Sequence, residues 1–241
     1  MTYTRVKAAR SPARLADTTY TRSIHAERNT IFEQIPVGGD RNFAYLVGDA
    51  RSHAAAVVDP AYRPELVLER ADAFGLTVAW LINTHGHADH AGGNDIVLAR
   101  THARLLQGGR RGVPDGHAVE MGGVRLTLIR TPGHSEDSIC VLAQEPGAPG
   151  KLMTGDTLFV GKVGGTDYGA GARAEYDSLH QKVLALPPET EVWPGHDVGV
   201  APRSTVGNEA RTNPFLLCKD FGEFVELKRN WLEYKRAHGI L

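Results

Sequence analysis

The stretch Thr84-His85-Gly86-His87-Ala88-Asp89-His90-Ala91-Gly92-Gly93 (THGHADHAGG) decides how this chain folds. It follows TVAWLINT (77–84), which reads as a buried strand, and the chain then turns towards a helix near Gly92. His85 and His87 are two positions apart, so an extended backbone sends both imidazoles the same way. Asp89 and His90 follow in the turn. Four nitrogen and oxygen donors crowded onto one loop are costly unless a cation sits among them. The carboxyl end of a strand in an α/β protein is also where ligands tend to bind.

Three further residues share that setting. His134 lies in TPGHSEDS, Asp156 in LMTGDTLF and His196 in VWPGHD, each beside a glycine at a strand-to-loop junction. With the first cluster they supply five His and two Asp, enough for two divalent metal ions with one carboxylate between them. The other six histidines, His25, His53, His102, His117, His180 and His238, have no such setting and read as surface or packing residues.

Around these positions short apolar strands alternate with amphipathic helices. Residues 31–37, 42–49 and 54–60 read as consecutive strands, and 124–131, 138–143 and 151–159 as a second set, with a last short strand in EVWPGHD (191–197). A helix is expected from Pro64 to Gly75, another over 174–186 with Tyr176, Leu179, Val183 and Leu186 on one face. The tail, 219–237, predicts one helix with Phe221, Phe224, Val225, Trp231 and Leu232 on its apolar side, packed on the body, with a homodimer contact as the alternative. Strands first, then interleaved helices, point to an α/β sandwich over residues 24–241, preceded by a solvated arm at 1–23. That arm is Arg-rich and acid-poor, as a transit peptide would be, but it has no apolar signal core.

The combined motif resembles the metallo-β-lactamase fold superfamily. HxHxDH at 85–90 and the later His134, Asp156 and His196 occur in that family's order, and the likeness covers about residues 31–216. It implies a four-layer αβ/βα sandwich with one metal on His85, His87 and His134, a second on Asp89, His90 and His196, and Asp156 bridging. GDTLFVGKVGGTD (155–167), WPGHD (193–197) and STVGNEARTNPFL (204–216) are similar to glyoxalase II and the persulfide dioxygenases, the last stretch more to the latter. Where both groups place a basic glutathione contact after the bridging aspartate this chain has Gly165, and where they have a tyrosine after the final histidine it has Val198.

Two chemistries follow. Two ions (Zn, Fe or Mn) sharing a water would lower its pKa and give hydroxide near neutral pH, which attacks a thioester or ester. Asp89 would orient that water and Asp156 would serve both ions. Alternatively one Fe(II) on His85, His134 and Asp156 would make a persulfide dioxygenase. The completeness of the second ligand set favours the hydrolase. Lys+Arg 27 against Asp+Glu 28 leaves no basic footprint for nucleic acid. No apolar run is long enough to span a membrane. Cys140 and Cys218 are too few for a disulfide framework, so a small-molecule enzyme of the cytoplasm is expected. Cys140, inside a strand, reads as a small buried hydrophobe.

Overall fold

The computed structural model describes residues 29–239; the expected arm at 1–23 and His25 lie outside them. Two sheets face each other. The first carries β1 (Thr30–Gly38), β2 (Asn42–Asp49), β3 (Ala54–Val58), β4 (Thr77–Ile82) and β5 (Arg104–Leu106) in that order. On its outside lie α1 (Pro64–Ala73), the single turn α2 (Ala88–Ala91) and α3 (Asn94–Arg100). The second sheet contains β6 (His117–Met121), β7 (Val124–Arg130), β8 (Ile139–Gln144) and β9 (Lys151–Gly155). A hairpin, β10 (Leu158–Phe159) and β11 (Lys162–Val163), leads out of β9, and α4 (Ala170–Ser178) covers the sheet. Strands β12 (Glu191–Pro194) and β13 (Ser204–Thr205) complete the order β13-β12-β9-β8-β7-β6, followed by α5 (Val206–Thr212), α6 (Phe221–Arg229) and α7 (Trp231–His238).

The layers follow from side-chain alternation along the strands. In β2, Phe43, Tyr45 and Val47 point between the sheets, where they meet Val119, Leu126, Val141, Met153 and Trp193. Ala44 and Leu46 point the other way, onto Val67, Leu68 and Ala71 of α1. The outer face of the second sheet buries Cys140, Leu142 and Leu152 against Ala172, Leu179, Val206 and Phe224. The expected αβ/βα sandwich is therefore present. Burial of Cys140 is complete and pushes its thiol up to about 11, as fits a core residue.

Four expected elements end elsewhere, each for a local reason. The strand expected to run to Pro60 stops at Val58, because Asp59 takes a left-handed conformation (φ 51°). The strand expected over 151–159 breaks at Gly155 (φ 48°), where a Cβ would lie 2.4 Å from Thr84 Oγ1. The 174–186 helix begins four residues earlier, where Asp167 accepts from the Gly169 and Gly171 amides, and it finishes in a π-helical turn, Leu179–Val183. The tail is two helices rather than one, divided at Asn230 (φ −102°, ψ 17°). That break turns Leu232, expected on the packing face, out to 59% exposure. No helix among the described residues is long and apolar enough to cross a membrane.

Candidate metal centre

All the expected ligands gather at one edge of the sandwich, beyond the carboxyl ends of four strands. His85 and His87 follow β4, and Asp89 and His90 ride on α2. His134 follows β7, Asp156 follows β9 directly, and His196 stands two residues past β12. Backbone hydrogen bonds lace the two sheets together there: Ile139 N to Thr84 O (2.7 Å) and Phe43 N to Gly195 O (2.9 Å). The donor atoms form three converging groups: His85–His87–His134, His85–His90–Asp156 and Asp89–His90–His196. None of the five histidines read as packing residues within the described segment joins them.

Four of the five rings are oriented from behind. His134 Nδ1 donates to Gly165 O (2.8 Å) and His196 Nδ1 to Asp40 O (2.8 Å). His90 Nδ1 donates to Asp59 Oδ2 (2.9 Å). His85 Nδ1 donates to Thr84 Oγ1 (3.2 Å), whose own hydroxyl donates to Asp59 Oδ2 (2.6 Å). These partners fix the tautomer and leave the Nε2 lone pairs facing inward. Those atoms are very close: His90 Nε2 to His196 Nε2 is 3.1 Å, and His87 Nδ1 lies 3.0 Å from His85 Nε2 and 3.1 Å from His134 Nε2. Between the two groups stands Asp156. Its buried Oδ1 lies 3.2 Å and 3.3 Å from His90 and His196 yet makes no directed hydrogen bond, while Oδ2 is 3.6 Å from His134.

The charges reflect this crowding. Burial, with His90 beside it, pushes His85 down to about 4. His90 is equally buried, but Asp59 and Asp156 outweigh desolvation and raise it to about 10. Burial would raise Asp156, yet His196 and His90 hold its carboxyl far below the ordinary carboxylate range. Asp89, half-buried, is also lowered despite desolvation, by His90 and by Asn42, whose amide donates to its Oδ2 (3.3 Å). Converging acceptor atoms and an orphaned buried carboxylate oxygen suit divalent cations.

Sequence reasoning missed the groups behind the ligands. In the sequence Asp59 reads as part of the strand 54–60, and Asn42 as the start of the strand 42–49. A signal was present for Asp59: an acid closing the apolar run AAAVV, just before proline, is misplaced for a buried strand. In the sequence Gly165 shows only a missing side chain, whereas its carbonyl holds His134.

Residues 37–106 match the metallo-beta-lactamase superfamily. A hydroxyacylglutathione hydrolase of Nitrosococcus oceani is 34% identical over 65% of this chain, a match that spans 62% of that protein's length. The human mitochondrial persulfide dioxygenase ETHE1 is 31% identical over 74% of each chain. The crystal structure of ETHE1 from Myxococcus xanthus superposes with a TM-score of 0.74 at 32% identity, covering 83% of this chain and 91% of that one. The chain belongs to the metallo-beta-lactamase superfamily, in its glyoxalase II and ETHE1-like branch. Metal binding at the His/Asp cluster is what that family and this geometry support together.

Proposed function

We propose that the protein is a metal-dependent hydrolase of thioesters or esters, with His85, His87 and His134 as one ligand set, Asp89, His90 and His196 as the other, and Asp156 shared. The observation that supports it is the array of inward lone pairs 3.0–3.1 Å apart in two groups, with a carboxylate between them. Divalent ions held there would acidify a water and polarise a substrate carbonyl. Asp89, an ionised carboxylate at neutral pH and a third exposed on its side chain, would orient that water as well as ligate. With an ion in place of the proton at Nε2, Asp59 and Thr84 would keep His85 and His90 in the acceptor tautomer. A thiolate leaves without obligatory protonation, so no separate acid is required.

Glutathione is not the preferred carrier in this reading. A Cβ on Gly165 would meet nothing within 4 Å, so that position offers the substrate open space rather than a cation. A second reading, a mononuclear Fe(II) persulfide dioxygenase using His85, His134 and Asp156, draws support from the likeness to the Myxococcus ETHE1 structure. The two part cleanly on oxygen. Zinc has no accessible redox step. Zn2+-loaded protein kept anaerobic should hydrolyse a simple thioester, and His90→Ala should lose that activity. Inert Zn2+ protein beside an Fe(II) form that consumes oxygen with a persulfide would overturn the hydrolase reading in favour of the dioxygenase.

A further inference from the structure

A buried ion pair outside the metal centre reaches it through one strap of backbone. Lys228 of α6 and Glu175 of α4 hydrogen-bond with side chains 5% and 0% exposed. Lys228 Nζ also donates to Gly164 O (2.7 Å). The next residue, Gly165, supplies the carbonyl that accepts from His134 Nδ1. Glu175 acts from the other side. Its side-chain carbon fills the space against Gly133, where an added Cβ would lie only 2.4 Å away. From the same helix Ser178 Oγ donates to Pro132 O (2.8 Å). Both approaches to His134, the Pro132–Gly133 turn before it and the Gly164–Gly165 strap behind it, therefore rest on α4 and its partner lysine.

We infer that Lys228, held by Glu175, is a positioning residue for the metal centre, fixing the strap that orients His134. Packing alone does not account for the pair. Apolar residues of similar volume join two helices as well as a buried salt bridge does, without its desolvation cost. What an apolar pair cannot do is donate to the Gly164 carbonyl, which sits beside the one peptide that sets the His134 ring. The inference rests on His134 being a ligand, as proposed above.

The test is stepwise Zn2+ affinity by chelator competition, with the visible spectrum of the Co2+ form as a second readout. Lys228→Met should weaken one of the two binding steps by about 10–100-fold, the usual effect of losing a partner behind a ligand. The other step should change by less than about threefold, and the Co2+ spectrum should shift. Should unpaired Glu175 prevent folding, the double variant Glu175→Met/Lys228→Met restores an apolar contact and should show the same selective loss. Phe215→Leu, buried in the same core but with no contact to Lys228 or the strap, should lower Tm and leave both affinities alone. Unchanged affinities and spectrum in a folded Lys228 variant would refute the positioning role while leaving the metal centre intact. Absence of metal binding in the unsubstituted protein would instead remove the centre, and this inference with it.

Discussion

The two sides of the cluster are held by different means. On the deep side, His90 and His196 are 0% and 5% exposed, and His90 leans on the buried carboxylate of Asp59. On the open side, His87 is exposed and His134 is held by a backbone carbonyl on a surface strap. A charged acceptor behind an imidazole makes the ring a stronger base and a better-fixed ligand than a neutral carbonyl does. In the proposed centre His90, the one ring with a carboxylate directly behind it, makes the deep set the more retentive, and the exposed His87 makes the open set the side a substrate would meet. Asp156 joins them, so the largest effect should come from it. Asp156→Ala takes a carboxylate from both sets. Metal content should drop below one equivalent, and kcat/KM should fall by about three decades, a few kcal/mol of lost charge stabilisation. His87→Ala, confined to the open side, should keep the deep-side metal. Two equivalents retained by Asp156→Ala in elemental analysis would break the picture of a shared ligand.

The next effect is on stability in metal-free protein. His85, pushed down to about 4, is neutral when folded but takes a proton when unfolded below 6.5. Its contribution is present above 6.5 and is lost as pH falls towards 4. His90, raised to about 10, works the opposite way: its contribution is complete below 6.5 and is lost as pH rises through about 10. Judged by these two rings, EDTA-treated protein should be most stable near pH 6.5 and should soften on both sides. The alkaline limb should be on the order of 3 kcal/mol. Zn2+ should flatten that limb, since a bound cation replaces the proton as the partner of the surrounding carboxylates. Asp59→Asn should make it shallower. An apo-protein whose Tm is level from pH 6.5 to 9.5 would mean that His90 is not held by Asp59 in this way.

The same contrast explains what could be read from the sequence. His85, His87, Asp89 and His90 declare themselves because four donors on one loop have no bland use, and His134, Asp156 and His196 because each sits by a glycine at a strand end. Asp59 does the same order of work at the deep side but is a single acid in a run of apolar residues, and nothing local says which ring it will meet 31 positions later. Lys228 and Glu175 were hidden for a similar reason. Each looks like a solvated charge on an amphipathic helix until the helices are packed. Fold boundaries failed where a left-handed residue, Asp59 or Gly155, ended a strand that side-chain pattern alone would continue. The tail reads as one helix because a hydrophobic pattern cannot show that Asn230 divides it.

The smallest predicted effect concerns the open side and decides what enters there. Gly165 lies on the strap behind His134, its backbone outside the left-handed region and its side-chain direction unobstructed for 4 Å. Gly165→Arg should therefore fold normally. It also leaves the carbonyl that holds His134 untouched, because that contact belongs to the main chain. A guanidinium there can pair with the carboxylate of a glutathione thioester. Such a charge-assisted hydrogen bond contributes about 1.5–3 kcal/mol, so kcat/KM for S-lactoylglutathione should rise by about tenfold or more. The gain should appear in KM, since the contact is made equally in ground and transition states. A short thioester lacking that carboxylate should be turned over as before, which separates a new substrate contact from a general change in the metal centre. If the unsubstituted protein already hydrolyses S-lactoylglutathione near the diffusion limit, or if the arginine changes both substrates alike, the open side does not exclude glutathione by lacking a cation at this position.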